Sequence, residues 1–139
     1  KAAELAQSRM EKYKKLAELR DMLESIIRDA VPEAKLNGHP GKRLPNTLNM
    51  TLPGLRGESL VLAMDQKGIS LSSGSACKAG SPKPSHALLA LGLSEEDVHC
   101  SVRFSLGKDN KEEDIRKSGE KIKEILRDIK ETVTFVTCR

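Results

Sequence analysis

Aromatic side chains are nearly absent from this chain: 139 residues include no Trp, one Tyr and two Phe. The core is therefore expected to be aliphatic, and the stacking platforms that single-stranded nucleic acid needs are missing. Long apolar runs are missing too. None approaches the roughly 20 residues that span a bilayer, and Lys1 opens directly into a charged helical pattern rather than a secretory leader. Cysteines are few and unpaired. Cys77, Cys100 and Cys138 are odd in number and show no CxxC spacing, which argues against a disulfide framework and a zinc site and suggests a reducing cytoplasm. Nor is there an excess of one charge, since 24 Lys and Arg are interspersed with 20 Asp and Glu for a net +4. That pattern describes a solvated surface better than a nucleic-acid face. No internal repeat or low-complexity tract is found.

The remaining composition, 37 % hydrophobic and 32 % charged, fits one globular domain with a single modest core. Apolar residues at helical spacing, Leu5, Tyr13, Leu16, Leu19, Leu23, Ile26, Ile27 and Ala30, predict a long amphipathic helix over 2–30, ended by Pro32. Because the pattern starts with neither Met nor a capping residue, the chain is expected to be a piece of a longer polypeptide. A polar connection rich in Gly and Pro follows, with a short extended piece around Ala34 to Leu36. Thr47 to Leu52 alternates and predicts a strand stopped by Pro53-Gly54. Helices are predicted over 58–67, with Gly68 past the end, and over 85–91, capped by Ser85. Between them Ile69 to Ser72 reads as a short strand, and Ser94 to Asp97 as a capping box. Cys100 to Leu106 is the clearest strand, with Val102, Phe104 and Leu106 on one face and Ser101, Arg103 and Ser105 on the other. Asn110 and the acids Glu112, Glu113 and Asp114 mark the start of a last helix running to about Thr132. The expected fold is α/β, an α+β two-layer sandwich: a small, mostly antiparallel sheet packed against helices.

Two places carry chemistry. The segment Ser72-Ser73-Gly74-Ser75-Ala76-Cys77, followed by Lys78, Gly80, Pro82, Lys83 and Pro84, sets a thiol among residues too small to bury it. Such a segment reads as a mobile loop. A thiol there, near two ammonium groups, favours its thiolate form and suits a sulfur nucleophile; the competing reading is a small buried hydrophobe. Arg103, on the polar face of a strand, is suited to grip a carboxylate by two parallel hydrogen bonds. Its competing reading is a surface ion pair with one of the many acids.

The order of motifs adds to this. Pro45-Asn46-Thr47-Leu48-Asn49, Gly57-Glu58-Ser59-Leu60, Ser72 to Cys77, Pro84-Ser85-His86, Ala90-Leu91-Gly92-Leu93 and Val102-Arg103-Phe104-Ser105-Leu106-Gly107 follow one another. Together they resemble the C-terminal region of the NifS/IscS-type cysteine desulfurases, pyridoxal-phosphate enzymes of the class V aminotransferase group. The likeness is specific from about Leu44 to Gly107, and the flanking helices match only in type. It implies the small C-terminal domain of a fold-type I enzyme: 1–31 would be the helix entering the domain and 32–139 the rest, with the large cofactor-binding domain outside this chain.

The resemblance further implies that Cys77 attacks the sulfur of a cysteine–cofactor adduct and carries it off as a persulfide, leaving L-alanine. Arg103 would bind the carboxylate of L-cysteine. The long form of the cysteine loop would let the persulfide swing to an acceptor such as an iron–sulfur scaffold protein. The Schiff-base lysine belongs to the family's large domain, so Lys67, Lys78 and Lys83 are not candidates, and this chain alone is expected to bind no cofactor and to be inactive. The full-length enzyme is expected to be a homodimer, cytoplasmic, with no nucleic-acid or membrane partner. His99, His86 and His39 are assigned structural or solvated positions, Cys100 a packed one and Cys138 an unactivated tail. Glu58 is expected to open its helix. Two other functions stay open: a selenocysteine lyase, and a non-enzymatic persulfide relay or protein-binding domain using Cys77.

Overall fold

Spacing of Leu and Ile decides where the first layer lies. Helix α1, Met10–Ala30, buries Leu16, Leu19, Leu23 and Ile27 along one stripe. Its last turn closes through Val31 N–H donating to Ile27 O at 2.8 Å just before Pro32. The computed structural model describes residues 10–74 and 84–137, so the beginning of the expected helix, the cysteine loop and Cys138 lie outside the described residues. In chain order α1 is followed by β1 (Lys35–Leu36), β2 (Thr47–Thr51), α2 (Gly57–Gln66), β3 (Ser72–Ser73), α3 (His86–Ala90), α4 (Glu95–His99), β4 (Ser101–Ser105) and α5 (Glu112–Thr137).

The four strands form one antiparallel sheet in the order β1-β2-β4-β3. Strand alternation sorts their side chains. Leu48 and Met50 of β2 and Val102 and Phe104 of β4 face the core, where they join the buried stripes of α1 and α5 and Leu60 and Met64 of α2. The antiparallel sheet with helices packed on its aliphatic face is the expected α+β sandwich. Helix α5 contributes Ile115, Ile122, Ile125 and Leu126. A polar clamp holds the connection between β1 and β2 against α1. Buried Arg20 donates to Leu44 O at 2.9 Å and to Asp21 at 2.7 Å, and Arg43 reaches Glu24 at 2.7 Å. At the far end Lys130 of α5 ties to Glu33, whose carboxyl is held below its ordinary range by a backbone hydrogen bond and by Lys130.

Several boundaries differ from the sequence expectation for identifiable reasons. Of the expected Ile69–Ser72 strand only Ser72 pairs with β4, joined by Ser73 beyond it, because Ile69 N–H turns back to Met64 O and finishes the C-terminus of α2. Ser85 sits at the N-cap of α3, yet its side chain makes no capping bond. Asn110 does not cap α5. Its Oδ1 accepts from Gly107 N–H at 2.6 Å to close the turn before the helix, and Asp114 accepts from Lys111 N–H instead. Cys100 is buried as expected but ends α4 rather than lying in β4. The Ser94 half of the expected capping box at α4 is present, with Ser94 Oγ accepting from Asp97 N–H at 3.1 Å.

Gly57 has a packing reason. A Cβ at that position would stand 2.8 Å from Ser101 O and 3.2 Å from His99 O, both backbone atoms that cannot swing aside. The glycine thus lets the first turn of α2 lie directly on the α4–β4 junction. Gly57→Ala is expected to destabilise the domain by about 1–3 kcal/mol through overpacking, read as a lowered urea midpoint with unchanged slope.

Candidate functional site

The face of the sheet turned away from the core is polar throughout: Thr47, Asn49 and Thr51 on β2 stand opposite Ser105, Arg103 and Ser101 on β4. Ser72 on β3 pairs with Arg103 from the other side, so Arg103 is flanked by Asn49 and Ser72 in one row. Directly opposed side chains on one face are about 5 Å apart at Cβ. At one end of this face Thr51 and Ser101 are fully buried. There Thr51 Oγ1 and Ser101 Oγ lie 2.9 Å apart, Thr51 donates to Asn37 Oδ1, and Asn37 Nδ2 donates to Asn49 Oδ1 at 2.8 Å and to Ser101 Oγ at 3.1 Å. At the other end Asn49 and Arg103 are half-buried.

Arg103 carries no ion pair among the described residues, and its Nε is buried without an acceptor. No surface salt bridge holds this residue among the described residues, which leaves a guanidinium fixed on a strand without a described counter-charge. Ser73 leads to Gly74, whose N–H donates to Ser101 O at 3.2 Å. The chain thus leaves the sheet beside Ser101, two positions along β4 from Arg103, just before the segment that holds Cys77, which itself lies outside the described residues.

The chain's own sequence profile decides the family. Residues 2–117 match the aminotransferase class-V family. This chain belongs to that family. Among class-V relatives it is 42 % identical over 132 residues to the cysteine desulfurase IscS of Methanosarcina thermophila, a match covering 94 % of this chain and 32 % of that protein. It is 48 % identical over 118 residues to the cysteine desulfurase IscS of Clostridium botulinum strain Hall, covering 83 % and 30 % respectively. The chain spans about a third of the length of the curated relatives it matches. Among solved structures it superposes on a NifS-like protein with a TM-score of 0.75 at 30 % identity, covering 89 % of this chain and 31 % of that one. A NifS-like protein from Rickettsia africae gives a TM-score of 0.68, also at 30 % identity.

The other candidate residues lie in a turn and at helix ends. His39 Nδ1 accepts from Gly41 and Lys42 N–H groups and shapes a turn. His86 opens α3 and His99 closes α4, both exposed. Glu58 is an acid in the first turn of α2. Lys67 pairs with Glu124 and accepts at its carbonyl from Lys121, while Lys78 and Lys83 lie outside the described residues. Among the described residues the polar sheet face bears the Arg103 guanidinium, small neutral groups and, at the β1 edge, Lys35 paired with Asp97. No described helix is long and apolar enough to cross a membrane.

Sequence reasoning placed Arg103 on the polar face but missed the Asn37–Asn49–Thr51–Ser101 network beside it. Alternation in Thr47 to Leu52 carried the signal, because Thr47, Asn49 and Thr51 share one face. What joins them to Ser101 is strand register, which one sequence does not reveal.

Proposed function

We propose that this chain is the small C-terminal domain of a longer cysteine desulfurase, with Cys77 as the sulfur-accepting nucleophile and Arg103 as the carboxylate-binding residue. The observation that carries the reading is the Arg103 guanidinium, without an ion pair among the described residues, in the row Asn49–Arg103–Ser72, with Ser72 five positions before Cys77. Family membership and the names of the relatives support it. In the full-length enzyme the C–S bond of L-cysteine breaks and an S–S bond forms at Sγ of Cys77. The Cβ left behind takes a proton, so that L-alanine leaves and Cys77 keeps the persulfide. Cys77 lies five positions after Ser72, a length of chain that spans at most about 17 Å. The thiol can therefore reach a substrate held at Arg103 and withdraw from it.

Pyridoxal phosphate, held by the large domain outside this chain, supplies the electron sink for that cleavage. The persulfide then passes to an acceptor thiol, such as that of an iron–sulfur scaffold, in a reducing cytoplasm where free thiols persist. A homodimer built through the large domain is part of the same reading.

Incubating the holoenzyme with L-cysteine and digesting it without reductant tests this directly. The expected result is a Cys77 peptide heavier by one sulfur atom together with stoichiometric alanine. Alanine formation with unmodified Cys77 would move the nucleophile elsewhere, and no alanine at all would remove the desulfurase reading.

A further inference from the structure

Asn49 and Arg103 face each other across β2 and β4, and the way Asn49 is held settles which end of its amide meets the arginine. The chain of reasoning begins at a backbone carbonyl. Ser101 Oγ donates its single hydrogen to Asp97 O at 2.7 Å, and a carbonyl can only accept. Ser101 Oγ is therefore left as an acceptor toward Asn37, whose Nδ2 must point at it, 3.1 Å away. The same Nδ2 lies 2.8 Å from the side chain of Asn49, so the Asn49 atom that meets it is the oxygen Oδ1. Asn37 Oδ1 in turn accepts from Thr51 Oγ1 at 3.0 Å, consistent with that orientation. Three residues thus relay the polarity of one carbonyl to the far end of Asn49, and its NH2 group is turned away from the network. That NH2 makes no hydrogen bond to a described residue, and beside it Arg103 Nε is buried without an acceptor.

Two adjacent positions on one sheet face consequently present donors only, five N–H bonds from a guanidinium and two from an amide. One positive charge beside a neutral donor fits a single carboxylate better than it fits a phosphate dianion. We infer that Asn49 is a second residue binding the substrate carboxylate, sharing it with Arg103, and that the Asn37–Ser101 network exists to keep its NH2 group pointed at that ligand. The inference rests on the proposed desulfurase reading. It adds that selection for a free α-carboxylate comes from both residues.

The test uses the holoenzyme and compares L-cysteine with L-cysteinamide, which lacks the carboxylate charge. Asn49→Ala removes the donor. Asn49→Asp keeps the volume and the oxygen that Asn37 needs but replaces the NH2 group by a charged acceptor, so it preserves the network if the alanine variant folds poorly. Expected results are a loss in kcat/KM for L-cysteine of about tenfold in Asn49→Ala and more in Asn49→Asp, one charge-assisted hydrogen bond being at stake. The loss falls mainly on KM, with less than a twofold change for L-cysteinamide. Inhibition by the product L-alanine weakens in parallel, while inhibition by L-alaninamide does not. Equal losses on acid and amide, or wild-type selectivity in Asn49→Asp, would overturn the role of Asn49 and leave the desulfurase reading intact. Wild-type enzyme that forms no alanine from L-cysteine would overturn that reading, and the inference with it.

Discussion

Replacing Cys77 by Ser in the holoenzyme is expected to lower alanine formation from L-cysteine by at least about 1,000-fold and to abolish sulfur delivery to an acceptor. Loss of a covalent nucleophile has effects of this size or greater. Serine keeps nearly the same volume, but its hydroxyl is not ionised near neutral pH and its oxygen cannot be turned over as a persulfide sulfur can. Substrate binding should survive, since Arg103 and the sheet face are untouched. The measurement is therefore twofold: alanine release under turnover, and saturation of the enzyme by L-cysteine. Near-normal alanine release in Cys77→Ser would place the sulfur-accepting group at another residue. Cys100, buried at the end of α4, would be a poor replacement because no substrate reaches it.

The second large effect is expected from Arg103→Ala. Truncating one partner of a half-buried, hydrogen-bonded charge pair costs several kcal/mol in the complex, and tenfold corresponds to about 1.4 kcal/mol. A loss of about 100-fold or more in kcat/KM for L-cysteine follows. Arg103→Lys should recover little, because an ammonium cannot form the paired parallel bonds of the guanidinium. Thermal stability should hold or rise slightly in both variants. Arg103 makes no ion pair among the described residues, and removing a buried donor that lacks an acceptor relieves the domain of a desolvated group. A fall in stability with unchanged kcat/KM would show that Arg103 serves the fold and not the substrate.

Much of this architecture is legible in the sequence where one periodicity dominates. The stripes of α1 and α5 and the alternation of β2 and β4 are local patterns, and each is reinforced by Pro32, Pro53-Gly54 or the acids of a first helical turn. Short elements are less legible because their ends depend on partners. Ile69 and Leu71 have strand-like side chains, but the carbonyl of Met64 captures Ile69 N–H and shortens β3 to two residues. Asn110 has the composition of a helix cap, yet a nearer backbone donor at Gly107 takes its side chain. At the site, Arg103 was recognisable because a cation on the polar side of an alternating strand is unusual. Asn49, Asn37 and Ser101 were not, since they lie 12 to 64 positions apart and meet only through sheet register. The tight seat of Gly57 was visible only as part of a family motif. Its physical reason, the carbonyls of His99 and Ser101, needs three dimensions.

Both margins of the sheet, β1 and β3, are only two residues long. A foreign chain seeking to extend the sheet by edge-to-edge pairing would find almost no free ladder to copy, and Lys35 on the β1 side adds a charge against it. The domain can thus expose a polar sheet face without offering a template for fibril growth.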